Sequence, residues 1–206
     1  MTTNNPKEAL LVIDVQNEYF TGHLPVTFPE CSLDNILKAM DFAASVGIPV
    51  AVIQHYAATK DSPTFQKGSE EWRLRPEIEL RKRDILIEKS LPGSFTGTIL
   101  KKWLRTEGVS RIAICGYMAQ MCCDTTARQA FHLGFQVDFL SDAVGTLNVQ
   151  NSAGAISAPD LHRAVMVTQA MRFARVIKTE DWIRAMKPSG KSNLSGNLID
   201  LPPPKN

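Results

Sequence analysis

Leu10-Leu11-Val12-Ile13-Asp14 is a run of four apolar β-forming residues that closes on a carboxylate. Because it does not alternate with polar residues, it predicts a strand buried on both faces, as in parallel sheets covered by helices. Working outward, Leu33, Ile36, Leu37, Met40, Ala43 and Ala44 recur at i, i+3, i+4 and i+7. That spacing predicts a helix over 33–46, capped by Ser32 and stopped by Gly47. Further β-forming runs occupy 49–53, 85–87, 112–115, 135–140 and 174–177, with helical stretches at 98–107, 122–133 and 160–173. Strands separated by helices pair in parallel through right-handed crossovers. The expected fold is α/β: a three-layer αβα sandwich around a mainly parallel six-stranded sheet.

Two segments stand outside this repeat. The connection 59–84 carries Pro63, Pro76 and the charged run Arg81-Lys82-Arg83-Asp84, and reads either as a lid or subunit contact or as a solvated loop with a short helix. Residues 188–206 include Pro202-Pro203-Pro204 and cannot form a packed core alone. The expected organisation is one folded domain over 1–187 and a tail over 188–206. A chain of 206 residues, 44% hydrophobic and 21% charged, has ordinary globular composition, which excludes a disordered chain, a collagen-like fibre and a disulfide-stapled miniprotein. Its 23 basic and 21 acidic residues leave a net charge of +2, so no broad electrostatic footprint for nucleic acid or membrane is expected. No apolar run reaches the roughly 20 residues of a membrane span, and the first residues lack a secretion pattern. A cytoplasmic protein with four free thiols is the expectation.

In a parallel sheet, ligands gather beyond the carboxyl ends of the strands. Asp14 falls at the end of the first strand, Lys89 shortly after the third, and Cys122 a few residues past the fourth, at the expected start of a helix. A thiol at a helix N-terminus feels the positive end of the dipole, and a nearby ammonium would favour its thiolate further. Cys123 shares one small apolar face with Ala127, Ala130, Phe131 and Gly134, so it should point into the core while Cys122 turns away. A carboxylate base, a cation and a thiol at one edge suit covalent acyl transfer on a small-molecule substrate. Tyr19, Phe20, His55, Phe65, Trp72, Phe95 and Tyr117 are candidate pocket walls, each equally readable as core. Gln16 is expected to orient the loop after the first strand rather than to touch substrate.

Five motifs in order carry a family resemblance. They are Leu11-Val-Ile-Asp-Val-Gln-Asn-Glu-Tyr-Phe20, Glu88-Lys-Ser-Leu-Pro-Gly-Ser-Phe95, Cys115-Gly-Tyr-Met-Ala-Gln-Met-Cys-Cys-Asp-Thr-Thr-Ala-Arg-Gln-Ala130, Leu140-Ser-Asp-Ala143 and Ser157-Ala-Pro-Asp-Leu-His162. Together they resemble the isochorismatase-like cysteine hydrolases, which have Rossmann-type topology, over roughly 9–182. The resemblance implies an Asp–Lys–Cys triad at Asp14, Lys89 and Cys122. It also implies a cis peptide between Tyr117 and Met118, and an oxyanion hole made by the amides of Met118 and Cys122. Ala119 and Gln120 depart from the threonine and the asparagine or histidine common at those positions. Isochorismatases proper, which cleave an ether, typically have glycine where this chain has Cys122; the cysteine implies hydrolysis of an amide, carbamoyl or ureido C–N bond through a thioester. An ether hydrolase and a non-catalytic small-molecule binding module on the same fold are the alternatives. The nicotinamidase branch holds a metal with an aspartate and histidines after the second strand. Here His55 stands alone, so no metal and no organic cofactor are expected. The resemblance further implies a homo-oligomer, with the 59–84 connection helping to close a neighbour's site.

Overall fold

The computed structural model describes residues 7–186; the expected tail over 188–206 lies outside the described residues. Six strands, β1 (Glu8–Ile13), β2 (Val50–His55), β3 (Ile85–Lys89), β4 (Arg111–Tyr117), β5 (Gln136–Gly145) and β8 (Arg175–Ile177), form one sheet in the order β3-β2-β1-β4-β5-β8. Every pairing in it is parallel. A separate antiparallel hairpin, β6 (Val149–Asn151) with β7 (Gly154–Ile156), was not expected; three-residue strands with exposed ends carry little hydrophobic pattern.

Strand β1 shows why a continuous apolar run was needed. Ala9, Leu11 and Ile13 pack on one face with residues of α3 (Leu100–Thr106), α4 (Asp124–His132) and α5 (Ala158–Arg172). Leu10 and Val12 pack on the other with α1 (Ser32–Val46) and α6 (Thr179–Met186). Successive side chains of a strand point to opposite faces, and both faces here are covered. Each buried Leu or Ile contributes roughly 1.5–3 kcal/mol relative to exposure. Within α1, Ile36, Met40 and Ala43 of the periodic set are buried, Leu33 and Leu37 are half-buried and Ala44 is exposed, because Ala39 rather than Ala44 faces the core; Gly47 ends the helix in the left-handed region at φ 73°. The expected cap differs: Ser32 is the first helical residue, and its hydroxyl meets the Tyr117 hydroxyl at 3.1 Å instead.

The 59–84 connection contains one short helix, α2 (Pro76–Glu79), and packs on its own chain. Phe65, Leu74 and Ile78 are buried. The Asn17, Glu18 and Arg75 amides donate to the Arg73, Glu71 and Val15 carbonyls. The segment therefore packs beside the loop after β1 and carries the short helix that one of its two readings expected, with part of it buried rather than solvated.

Candidate active site

Four strand ends converge at the carboxyl edge. Asp14 follows β1 in the left-handed region at φ 52°, His55 ends β2, Lys89 ends β3 in register with His55, and Cys122 follows β4. Strand β3 lies two strands from β1, roughly 10 Å away, a span that suits a cation on the long lysine stem. The Lys89 Nζ lies 2.7 Å from Asp14 Oδ2, 3.2 Å from Cys122 Sγ and 3.4 Å from His55 Nδ1. The Asp14 and Lys89 side chains are fully buried, and no backbone amide donates to the Asp14 carboxylate.

The start of the helix after β4 differs from expectation. Residues Ala119–Cys123 form a π-helical turn, and α4 begins only at Asp124. Cys123 and Asp124 donate from their amides to the Met118 and Ala119 carbonyls, so the Cys122 amide precedes the first i→i+5 bond. The Tyr117–Met118 peptide leading into this turn is cis. Cys123 is wholly buried, and Cys122 is only 6% exposed, so Cys122 does not sit at an open helix end.

Burial then decides the electrostatics. It pushes the Cys122 thiol up, the Asp14 carboxylate adds to the effect, and Lys89 opposes both without winning. The resting site thus holds a thiol, where the helix-dipole argument favoured a thiolate. Burial also disfavours the Lys89 ammonium, but Asp14 and Cys122 outweigh it and hold the lysine charged. For His55, burial and then Lys89 lower the affinity for a proton, with Asp14 opposing.

The candidate pocket residues divide. Tyr19, Phe65, Tyr117, Phe20 and His55 form one edge-to-face cluster: Tyr19 meets Phe65 at 5.3 Å and Tyr117 at 5.5 Å, Phe20 meets Tyr117 at 5.7 Å, and His55 meets Phe65 at 5.0 Å. Phe95 is not brought to it; its ring stacks on Phe135 at 5.9 Å, among the helices of the opposite layer. Trp72 contributes through its carbonyl, which accepts from Gln16 and Gln54, while its ring faces the Lys67 ammonium at 5.8 Å.

Gln16 anchors the loop after β1. Its side chain accepts from the His55 amide at 2.8 Å and donates to the His55 and Trp72 carbonyls at 2.9 and 2.6 Å, pinning β1, β2 and the connection together. Glu18 was missed: it is buried, and its carboxylate accepts from the His23 and Phe65 amides. An acidic residue in a polar loop gives no sequence sign of burial. Among the described residues no group of three or more His, Cys, Asp or Glu is placed to hold a metal ion. His55 spends Nδ1 on Lys89, so the donor set does not fit a nicotinamidase-type metal.

Comparison with known proteins agrees with this architecture. The Isochorismatase domain model matches residues 8–181. The uncharacterised isochorismatase family protein YddQ of Bacillus subtilis (strain 168) is 32% identical, over 85% of this chain and 98% of its own length. Nicotinamidase 3 of Arabidopsis thaliana is 29% identical over 89% and 90%. A crystal structure from Burkholderia xenovorans LB400, described as a candidate isochorismatase, superposes with a TM-score of 0.86 at 43% identity, covering 93% of this chain and 94% of that one. With the family model spanning nearly all of the described residues and a solved structure of this family superposing over most of both chains, the chain belongs to the isochorismatase family and is a hydrolase.

Proposed function

We propose that this enzyme is a cysteine hydrolase that cleaves the C–N bond of a small amide, carbamoyl or ureido substrate through a thioester on Cys122. The observation that carries the reading is the contiguous contact of Asp14, Lys89 and Cys122, at 2.7 and 3.2 Å, in a buried corner of the sheet edge. The names of two relatives fit it: a ureidoacrylate amidohydrolase of Acinetobacter baylyi, 26% identical, and a streptothricin hydrolase of Streptomyces noursei, 30% identical.

The mechanism follows from the protonation of the resting site. As Cys122 Sγ attacks the substrate carbonyl, its proton passes to the Asp14 carboxylate and an S–C bond forms. Lys89 steadies the negative charge that moves between sulfur and carboxylate. The amides of Met118 and Cys122 receive the oxyanion, each such donor being worth about 2.7–4 kcal/mol in comparable sites. The tetrahedral centre collapses, the C–N bond breaks, and Asp14 returns the proton to the leaving nitrogen. Water then attacks the thioester with Asp14 taking its proton; the S–C bond breaks, the acid departs, and the proton returns to sulfur. No step requires an organic cofactor. Four unpaired cysteines support a reducing compartment such as the cytoplasm, and apolar Val167 and Met171 on the outer side of α5 support assembly with a second copy.

Cys122→Ala tests the reading. It should abolish ammonia release from a panel of small amides and ureas while leaving circular dichroism unchanged. Retained turnover would remove the thioester.

A further inference from the structure

The Lys89 ammonium has three donors and three partners: Asp14 Oδ2, Cys122 Sγ and His55 Nδ1. An ammonium only donates, so His55 Nδ1 accepts, and a neutral imidazole accepting there carries its hydrogen on Nε2. Burial and the adjacent Lys89 charge both favour that neutral ring. The buried cation at the site is therefore fully committed.

The charges of the nearby cations are paired. Arg75 lies over the Phe20 ring at 4.5 Å and pairs with Glu77 while donating to Asn17, its Nε alone being without a partner among the described residues. Lys67 pairs with Glu88. Two carboxylates are buried in this part of the fold: Asp14, which meets Lys89, and Glu18, which accepts from the His23 and Phe65 amides. The Tyr19 hydroxyl keeps its proton because it is buried and stands among Cys122, Asp14, Cys123 and Glu18. Two uncharged polar groups thus retain hydrogen-bonding capacity at this edge of the sheet: His55 Nε2–H, on the ring whose Nδ1 meets the Lys89 ammonium, and Tyr19 O–H. Neither is hydrogen-bonded among the described residues, and neither belongs to the polar atoms sealed from solvent without a partner.

We propose that the site accepts small uncharged amides, carbamoyls or ureas, recognised by the His55 Nε2–H donor with the Tyr19 hydroxyl, and rejects substrates bearing a carboxylate beside the scissile carbonyl. The inference rests on Cys122 being the nucleophile. A carboxylate entering here would lose its water beside the Asp14 carboxylate, with the charges of Lys89, Arg75 and Lys67 already paired with Asp14, Glu77 and Glu88. A neutral amide would meet a donor and a hydroxyl at no charge penalty. His55 is then a specificity residue, held in place by the Gln16 clamp on its backbone.

Iodoacetamide and iodoacetate test this on the intact protein. Each forms an S–C bond with loss of iodide, and they differ in carrying a neutral amide or a carboxylate. Rates are read at each cysteine by peptide mass spectrometry, with exposed Cys31 as the internal reference. The iodoacetamide-to-iodoacetate rate ratio at Cys122 should exceed that at Cys31 by about tenfold or more. His55→Arg should bring the Cys122 ratio down to that of Cys31 or below, and His55→Leu should slow iodoacetamide severalfold while leaving iodoacetate little changed. An equal or lower ratio at Cys122 in the unmodified protein, or no response to either substitution, overturns the proposal while leaving the nucleophile in place. If neither reagent modifies Cys122, the nucleophile assignment falls and this inference falls with it.

Discussion

At the scale of single residues, the two adjacent cysteines separate chemistry from packing. Cys123 lies wholly within the core of the α3–α4–α5 face, so Cys123→Ala should cost about 1–2 kcal/mol in chemical denaturation with activity retained. Lys89→Met tests the cation: without the ammonium, the Cys122 thiol should rise further and its alkylation by iodoacetamide should shift to higher pH. An unchanged profile would take lysine out of the electrostatic role. EDTA should leave ammonia release unaffected, because His55 gives Nδ1 to Lys89 and, among the described residues, no group of three or more His, Cys, Asp or Glu is placed to hold a metal ion; loss restored by zinc or iron would reopen a metal site. The three polar residues at the strand ends were legible in the sequence because an apolar run fixes where a strand stops. The state of the thiol was not, since desolvation depends on tertiary packing, here on the core formed with α3, α4 and α5.

At the scale of elements, the six sheet strands and the main helices followed from periodicity, whereas the strand order and the short elements did not. The helix α6 is one case: Asp142 accepts from the Thr179 amide and hydroxyl at its start, and Trp182 donates to Glu8 of β1. The apolar side of this helix is Trp182, Ile183 and Met186, and eight residues are too short a stretch for that period to stand out in the sequence. The π-helical turn is another, because its extra residue breaks the register that an α-helix would have carried back to Met118. Gly116 in β4 has φ 119°, and a Cβ there would stand 2.0 Å from the Ile13 carbonyl oxygen, on the strand that delivers Asp14. Gly116→Ala should therefore lose about 3 kcal/mol or more of stability, read by urea denaturation. Glu8 supplies a pH test. Burial, with Asp138 nearby, raises its carboxyl from 4.5 to about 7 despite the Trp182 hydrogen bond and the arginines Arg111 and Arg175. The folded state thus keeps a proton that the unfolded chain has released, so this group's contribution falls as pH rises from 4.5 to 7 and is flat above, by on the order of 3 kcal/mol at most. Glu8→Gln should raise the melting temperature at pH 8 more than at pH 5; an equal rise at both would deny the shift.

At the scale of the whole molecule, the sheet has a working edge and a holding edge. Asp14, His55, Lys89 and Cys122 gather at the carboxyl ends, whereas Glu8, Arg111 and Trp182 tie the amino ends together. Assembly depends on what remains uncovered. The connection 59–84 buries Phe65, Leu74 and Ile78 against its own chain, so its claim to a neighbour's site is weaker than the sequence suggested. The outer side of α5 is the better candidate: Val167 is 58% and Met171 69% exposed, one turn apart on a helix whose inner side already buries Val165 and Gln169. A two-fold contact would place the same stripe of both copies face to face, the usual arrangement of a closed homo-oligomer. Light scattering should give a whole-number multiple of the 22.8 kDa chain, and Val167→Glu combined with Met171→Lys should reduce it to one chain with circular dichroism unchanged. If removal of residues 188–206 dissociates the assembly and the α5 substitutions do not, the contact belongs to that segment; a single-chain mass for the intact protein would end the case for assembly.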